Sequence, residues 1–123
     1  MRGLCYTLIP SADNGNCTVY SQSGSDMKSN SVKRTLQSGG VSIGTMIFEF
    51  ASTGIGKVAA NAGADFLLFD MEHTGWGIDT IRMLMADSRN ANSVPLVRIP
   101  ATEYHFVARV LDVGALGVMV PMV

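Results

Sequence analysis

A chain of 123 residues, 47% hydrophobic and 15% charged, has the composition of one core-forming domain, which excludes an extended disordered protein. Nine Lys and Arg against ten Asp and Glu leave a formal charge of -1, so no basic excess exists to grip nucleic acid or an anionic membrane. The most apolar stretch, Val113 to Val123, is broken by Gly114, Gly117 and Pro121 and is shorter than the ~18 residues of a spanning helix.

Seven of the eleven serines fall in residues 1–40, and Ser11 to Ser31 shows neither helical nor strand periodicity. Residues 1–26 therefore read as a dispensable, disordered extension, with a short ordered N-terminal arm as the alternative, and Cys5 and Cys17 inside it form no framework or metal cluster. The apolar patch Leu4 to Pro10 lacks the core of a signal peptide, and a cytoplasmic protein is the default expectation. A short helix after Met27 is expected to stop at Gly39-Gly40. Val41 to Phe50 reads as a buried strand. Ile55, Val58, Ala59 and Ala62 then fall on one apolar helix face that ends at Gly63. Asp65 to Asp70 holds inside it Phe66-Leu67-Leu68-Phe69, a continuous apolar run of the kind buried on both faces in a parallel sheet.

The alternation repeats. Ile78, Ile81, Leu84 and Met85 mark a helix, Val94 to Ile99 a strand, Tyr104, Val107, Val110 and Leu111 another helix, and Gly117 to Val123 a fourth strand. Met83, Met85, Met119 and Met122 sit at core-like positions. Strand–helix units with short connections predict an α/β fold with a parallel sheet, either an open doubly wound sheet or the first part of a closed barrel. Gly54-Ile-Gly56 lacks the third glycine of a dinucleotide loop. Four strands over residues 41–123 amount to about the first half of a TIM-type barrel of ~250 residues, so the chain reads as truncated after strand four.

Charged residues gather at the carboxyl ends of these strands, the rim where parallel α/β folds build their sites. Glu49 lies near the end of the first strand, Asp70, Glu72 and His73 follow the second, and Arg98 ends the third. A carboxylate beside an imidazole supports proton capture, and a guanidinium fork suits a carboxylate or enolate oxygen. An alternative stands beside this one: Arg98 as a structural ion-pair partner of Asp70 or Glu72. Trp76 lines a substrate mouth or an oligomer contact, or else staples the following helix, and His105 reads as a surface or boundary residue. Asp112 opposes its helix dipole without explanation.

Three segments in order, Ala62 to His73, Pro95 to Pro100 and Leu111 to Pro121, resemble the HpcH/HpaI aldolase family of class II pyruvate-dependent aldolases. The likeness runs from about Met27 to Val123, giving the domain reading 27–123, the amino-terminal half of a (β/α) barrel aldolase. The resemblance implies a metal-dependent lyase acting on 2-oxo acid aldols through a pyruvate enolate, usually as a homo-oligomer, with an oxo acid and an aldehyde as partners. Residue by residue it implies His73, supported by Asp70, as the catalytic acid/base pair and Arg98 as the substrate-binding arginine. It also implies a divalent ion (Mg, Mn or Co), whose family ligands, a Glu and an Asp, lie on strands beyond the fourth. Glu49 and Glu72 do not match them, so no metal ligand is assigned and the chain alone is expected to be inactive. Met46 stands where the family often has Trp. Two other readings compete with this one: a non-catalytic half-barrel that associates with itself or another chain, and a nucleotide-binding open sheet.

Overall fold

The structure, a computed structural model, describes residues 29–123 and the backbone of residues 6–9 and 18–21. The extension expected over residues 1–26 lies largely outside the described residues, as do Cys5 and Cys17. Within it, β1 (Tyr6–Ile9) and β2 (Thr18–Ser21) pair antiparallel, with Tyr6 opposite Ser21. The composition of that segment suggested no such element.

Helix α1 (Ser31–Gln37) starts where the Asn30 side chain accepts a 2.9 Å hydrogen bond from the Lys33 amide. The same side chain donates to the Leu116 carbonyl at 3.1 Å, which ties the helix to the entry of the last strand. Three βα units follow: β3 (Gly44–Ile47) and α2 (Ile55–Asn61), β4 (Phe66–Asp70) and α3 (Ile78–Ser88), then β5 (Val94–Arg98) and α4 (Tyr104–Asp112). Strand β6 (Val118–Met119) completes a parallel sheet of order β3-β4-β5-β6. Parallel neighbours need a crossover, and α2, α3 and α4 each supply one.

Strand alternation divides the sheet into two faces. Leu67, Phe69, Met71, Val97 and Ile99 face the helices and pack with Ala59, Ile81, Leu84, Met85 and Val110 into the core. The intervening residues Met46, Leu68, Asp70, Leu96 and Arg98 belong to the other face, in register across three strands. Gly63 and Gly114 end α2 and α4 at φ +92° and +112°, backbone that a side chain strains.

Several expectations change in detail. The buried side of α2 is Gly56 and Ala59, whereas Val58 is 64% exposed and Ala62 also faces outward. The cause is close helix contact: a Cβ at Gly56 would lie 2.9 Å from Ser88 Oγ and 3.1 Å from Ser88 Cα, so α2 turns its glycine toward α3. In α4, Val110 is buried and Phe106 and Val107 pack on the core, while Tyr104 and Leu111 point outward. Of the four methionines expected in the core only Met85 is there; Met83, Met119 and Met122 are exposed. Strand β3 is shorter than Val41 to Phe50, because it has one neighbour among the described residues and the shared ladder runs only from Gly44 to Ile47. Strand β6 is shorter than Gly117 to Val123 for a similar reason. It has one neighbour among the described residues, and Pro121 offers no N–H to extend the ladder.

Candidate functional site at the carboxyl rim

Asp70 and Arg98 are the last residues of β4 and β5, and their Cα atoms are paired in register. Parallel strands in register point such residues the same way, so the two side chains meet on the face turned from the helices. They meet as a fork. Arg98 Nε donates to Asp70 Oδ1 and Nη2 to Oδ2, both at 2.8 Å.

Asp70 is only 1% exposed and accepts two further bonds, from the Glu72 amide at 2.8 Å and the His73 amide at 3.3 Å. An Asp side chain folding the chain just beyond it is the usual chemistry of an Asx turn. Thr74 Oγ1 extends the lock, donating to the Asp70 carbonyl at 2.6 Å and accepting from the Trp76 amide at 3.2 Å. The hydrogen bonds from Arg98 hold the Asp70 carboxyl down to about 2, against the opposing pull of burial; the two amides and the guanidinium charge add to the lowering. The same pairing raises Arg98 above its ordinary value.

Glu72 brings the remaining groups together. Its Oε2 lies 3.2 Å from Arg98 Nε and 3.6 Å from His73 Nε2. Guanidinium and imidazole therefore converge over one mouth of the sheet. The His73 side chain is 68% exposed and open to solvent. The acid beside its ring is Glu72. Asp70 reaches His73 only through the main-chain amide, because Arg98, in register with it, takes both carboxylate oxygens. The alternative of Arg98 as an ion-pair partner of Asp70 or Glu72 holds for both acids; the contact of Glu72 with the His73 ring is what the local spacing Asp70-Met71-Glu72-His73 did not reveal.

Arg98 spends its Nε side on these carboxylates. Its Nη1 nitrogen and one N–H of Nη2 make no hydrogen bond among the described residues and form a second, open edge. That edge has the geometry for a bidentate carboxylate or a pair of oxo-acid oxygens.

The other candidates are not joined to this cluster. Glu49, exposed beyond β3, makes no ion pair among the described residues. His105 is exposed at the start of α4, 3.3 Å from Glu103 and against the Phe106 ring. Trp76 is half-buried and packs on the core just before α3, the position of a helix staple. Cavities of about 250 and 320 Å³ lie at the opposite end of the sheet, one beside Lys57, Asn61 and Asn90, the other beside Ser29, Ser31 and Ser93. They contain none of the rim groups.

The divalent ion implied by the resemblance has no ligand set here. No group of three or more His, Cys, Asp or Glu among the described residues can hold a metal, and both rim carboxylates are committed to Arg98. No described helix is long and apolar enough to cross a membrane.

Comparison with known proteins matches residues 46–123 to the family described as HpcH/HpaI aldolase/citrate lyase. A hydroxypyruvate/pyruvate aldolase of Roseobacter denitrificans is 33% identical over 94 residues, covering 76% of this chain and 36% of that protein. A 4-hydroxy-2-oxovalerate aldolase of Novosphingobium aromaticivorans is 36% identical over 98 residues, with the same two coverages. Among solved structures, an HpcH/HpaI aldolase from Desulfitobacterium hafniense DCB-2 superposes with a TM-score of 0.70 at 36% identity, over 75% of this chain and 36% of that one. The four parallel strands and their helices are thus part of a TIM-barrel architecture, and the chain spans about a third of the length of the relatives it matches.

Proposed function

The chain belongs to the HpcH/HpaI aldolase/citrate lyase family, and from that premise we propose that it carries the oxo-acid-holding and proton-moving part of an aldolase. The reaction is reversible cleavage of a 2-oxo acid aldol to pyruvate and an aldehyde. The observation that supports it is the joint presence, at one strand-end rim, of an arginine edge open to an anion and an exposed imidazole.

In the cleavage direction, Arg98 receives the substrate carboxylate on its free Nη edge, a planar match of donors to acceptors. The Asp70 fork fixes the guanidinium plane in advance, so little is lost in ordering it when substrate arrives. His73, directly or through a water, takes the proton from the C4 hydroxyl. The C3–C4 bond breaks, the aldehyde leaves, and the electron pair passes to the C2 oxygen to give an enolate. That oxygen's negative charge faces the guanidinium. A proton returned to C3 completes pyruvate. The described residues do not fit a divalent ion, and no step here passes through one.

The test is a chimera in which residues 46–123 replace the matching segment of the Roseobacter denitrificans relative, assayed for pyruvate release from a 4-hydroxy-2-oxo acid with divalent metal added. Release is expected, with a loss of at least ~100-fold in His73→Ala and Arg98→Ala. A folded chimera that keeps its activity with both substitutions contradicts the role assignment.

A second reading, a self-associating module without catalysis, is favoured by the exposed Val41, Ile43, Phe48 and Phe50 flanking and following β3. Sedimentation of the chain decides it, since a well-behaved monomer contradicts self-association.

A further inference from the structure

We propose that Glu72 is a positioning residue that couples the His73 ring to Arg98; the inference deepens the reading above and rests on it. A single oxygen, Oε2, lies 3.2 Å from Arg98 Nε and 3.6 Å from His73 Nε2. Arg98 does not need this contact to stay in place, because the Asp70 fork already supplies two 2.8 Å bonds from a fully buried carboxylate. His73 does need it: the only other described tie is through its main-chain amide, and its ring is otherwise exposed. Glu72, with a side chain 19% exposed, is thus the one described group that relates the ring to the guanidinium.

Two consequences follow from charge. Asp70 and Glu72 together place two negative charges against the single positive charge of Arg98, so the mouth is less attractive to an anion than a lone arginine would be. Neutralising Glu72 should therefore tighten anion binding at Arg98 while freeing the ring. A residue that merely filled space would not split the two effects in this way.

The experiment uses the 123-residue chain with Glu72→Gln and Glu72→Ala, pyruvate as probe, and nuclear magnetic resonance of the His73 ring and the Arg98 guanidinium. In the unsubstituted chain the His73 ring is expected to relax as an ordered group, and to shift together with Arg98 when pyruvate is added. In Glu72→Gln the pyruvate affinity read at Arg98 rises about two- to fivefold. The His73 ring loses its order and its response, while the main-chain spectrum and melting temperature hold. His105, distant in sequence and paired with Glu103, serves as the unaffected control. Unchanged His73 relaxation in both variants overturns the proposal, and so does a pyruvate affinity that falls in Glu72→Gln. If the unsubstituted chain binds no pyruvate at Arg98, the oxo-acid reading fails, while ring relaxation alone still decides whether Glu72 holds His73.

Discussion

Replacing Asp70 by Asn removes one charge and leaves the shape, and its cost can be worked from the geometry. A carboxyl held at about 2 in the folded chain, against an ordinary 3.8, contributes about 2.4 kcal/mol at neutral pH. The amide of Asn keeps one acceptor oxygen but turns an NH2 toward donors, either Arg98 Nη2 and the His73 amide or Arg98 Nε and the Glu72 amide. The expected loss is about 2–3 kcal/mol. The sign of the pH dependence follows from the depressed value: the contribution is complete above about 4 and is lost as pH falls through 2. At pH 3 the native carboxylate retains only about 1.3 kcal/mol of it. Urea unfolding followed by circular dichroism, run at about pH 7 and about pH 3, should therefore show the gap between native chain and variant shrinking by roughly 1 kcal/mol. A gap of the same size at both pH values refutes the charge argument, as does a gap under about 0.5 kcal/mol at neutral pH.

Other perturbations separate packing from chemistry. Gly56→Val forces a side chain into Ser88 and should lower stability by about 1–3 kcal/mol in the same urea assay. Leu84→Ala, at a fully buried core position of α3, should cost about 2–5 kcal/mol. His73→Ala should move the unfolding midpoint by less than about 0.5 kcal/mol, since the ring is exposed, whatever it does to pyruvate release. Gly63→Ala places a side chain at φ +92° and should cost about 1–2 kcal/mol, read as a lower melting temperature.

The βα alternation was legible because it rests on local signals: glycine stops at 63 and 114, and the both-face burial that makes Phe66 to Phe69 an unbroken apolar run. What sequence periodicity missed depends on tertiary contact. Val58 has the helical spacing of a core residue, yet the glycine at 56 turns α2 so that Val58 points outward. Met119 looks like a core residue but sits in a strand with one neighbour among the described residues, and Met122 lies beyond the end of that strand. At the rim, residue types and strand ends named Asp70, His73 and Arg98 as candidates, but which acid meets which base is a matter of register. Asp70 opposite Arg98 sends the nearer carboxylate to the guanidinium and leaves the imidazole to Glu72.

The most direct measurement is a pyruvate titration of the chain, following the Arg98 guanidinium and the His73 ring by nuclear magnetic resonance, with Arg98→Lys alongside. If the free Nη edge and the imidazole serve one oxo acid at one mouth, both signals move with a single dissociation constant, and binding weakens at least about tenfold when the fork becomes a point charge. Pyruvate that moves neither signal, or moves one without the other, contradicts the account.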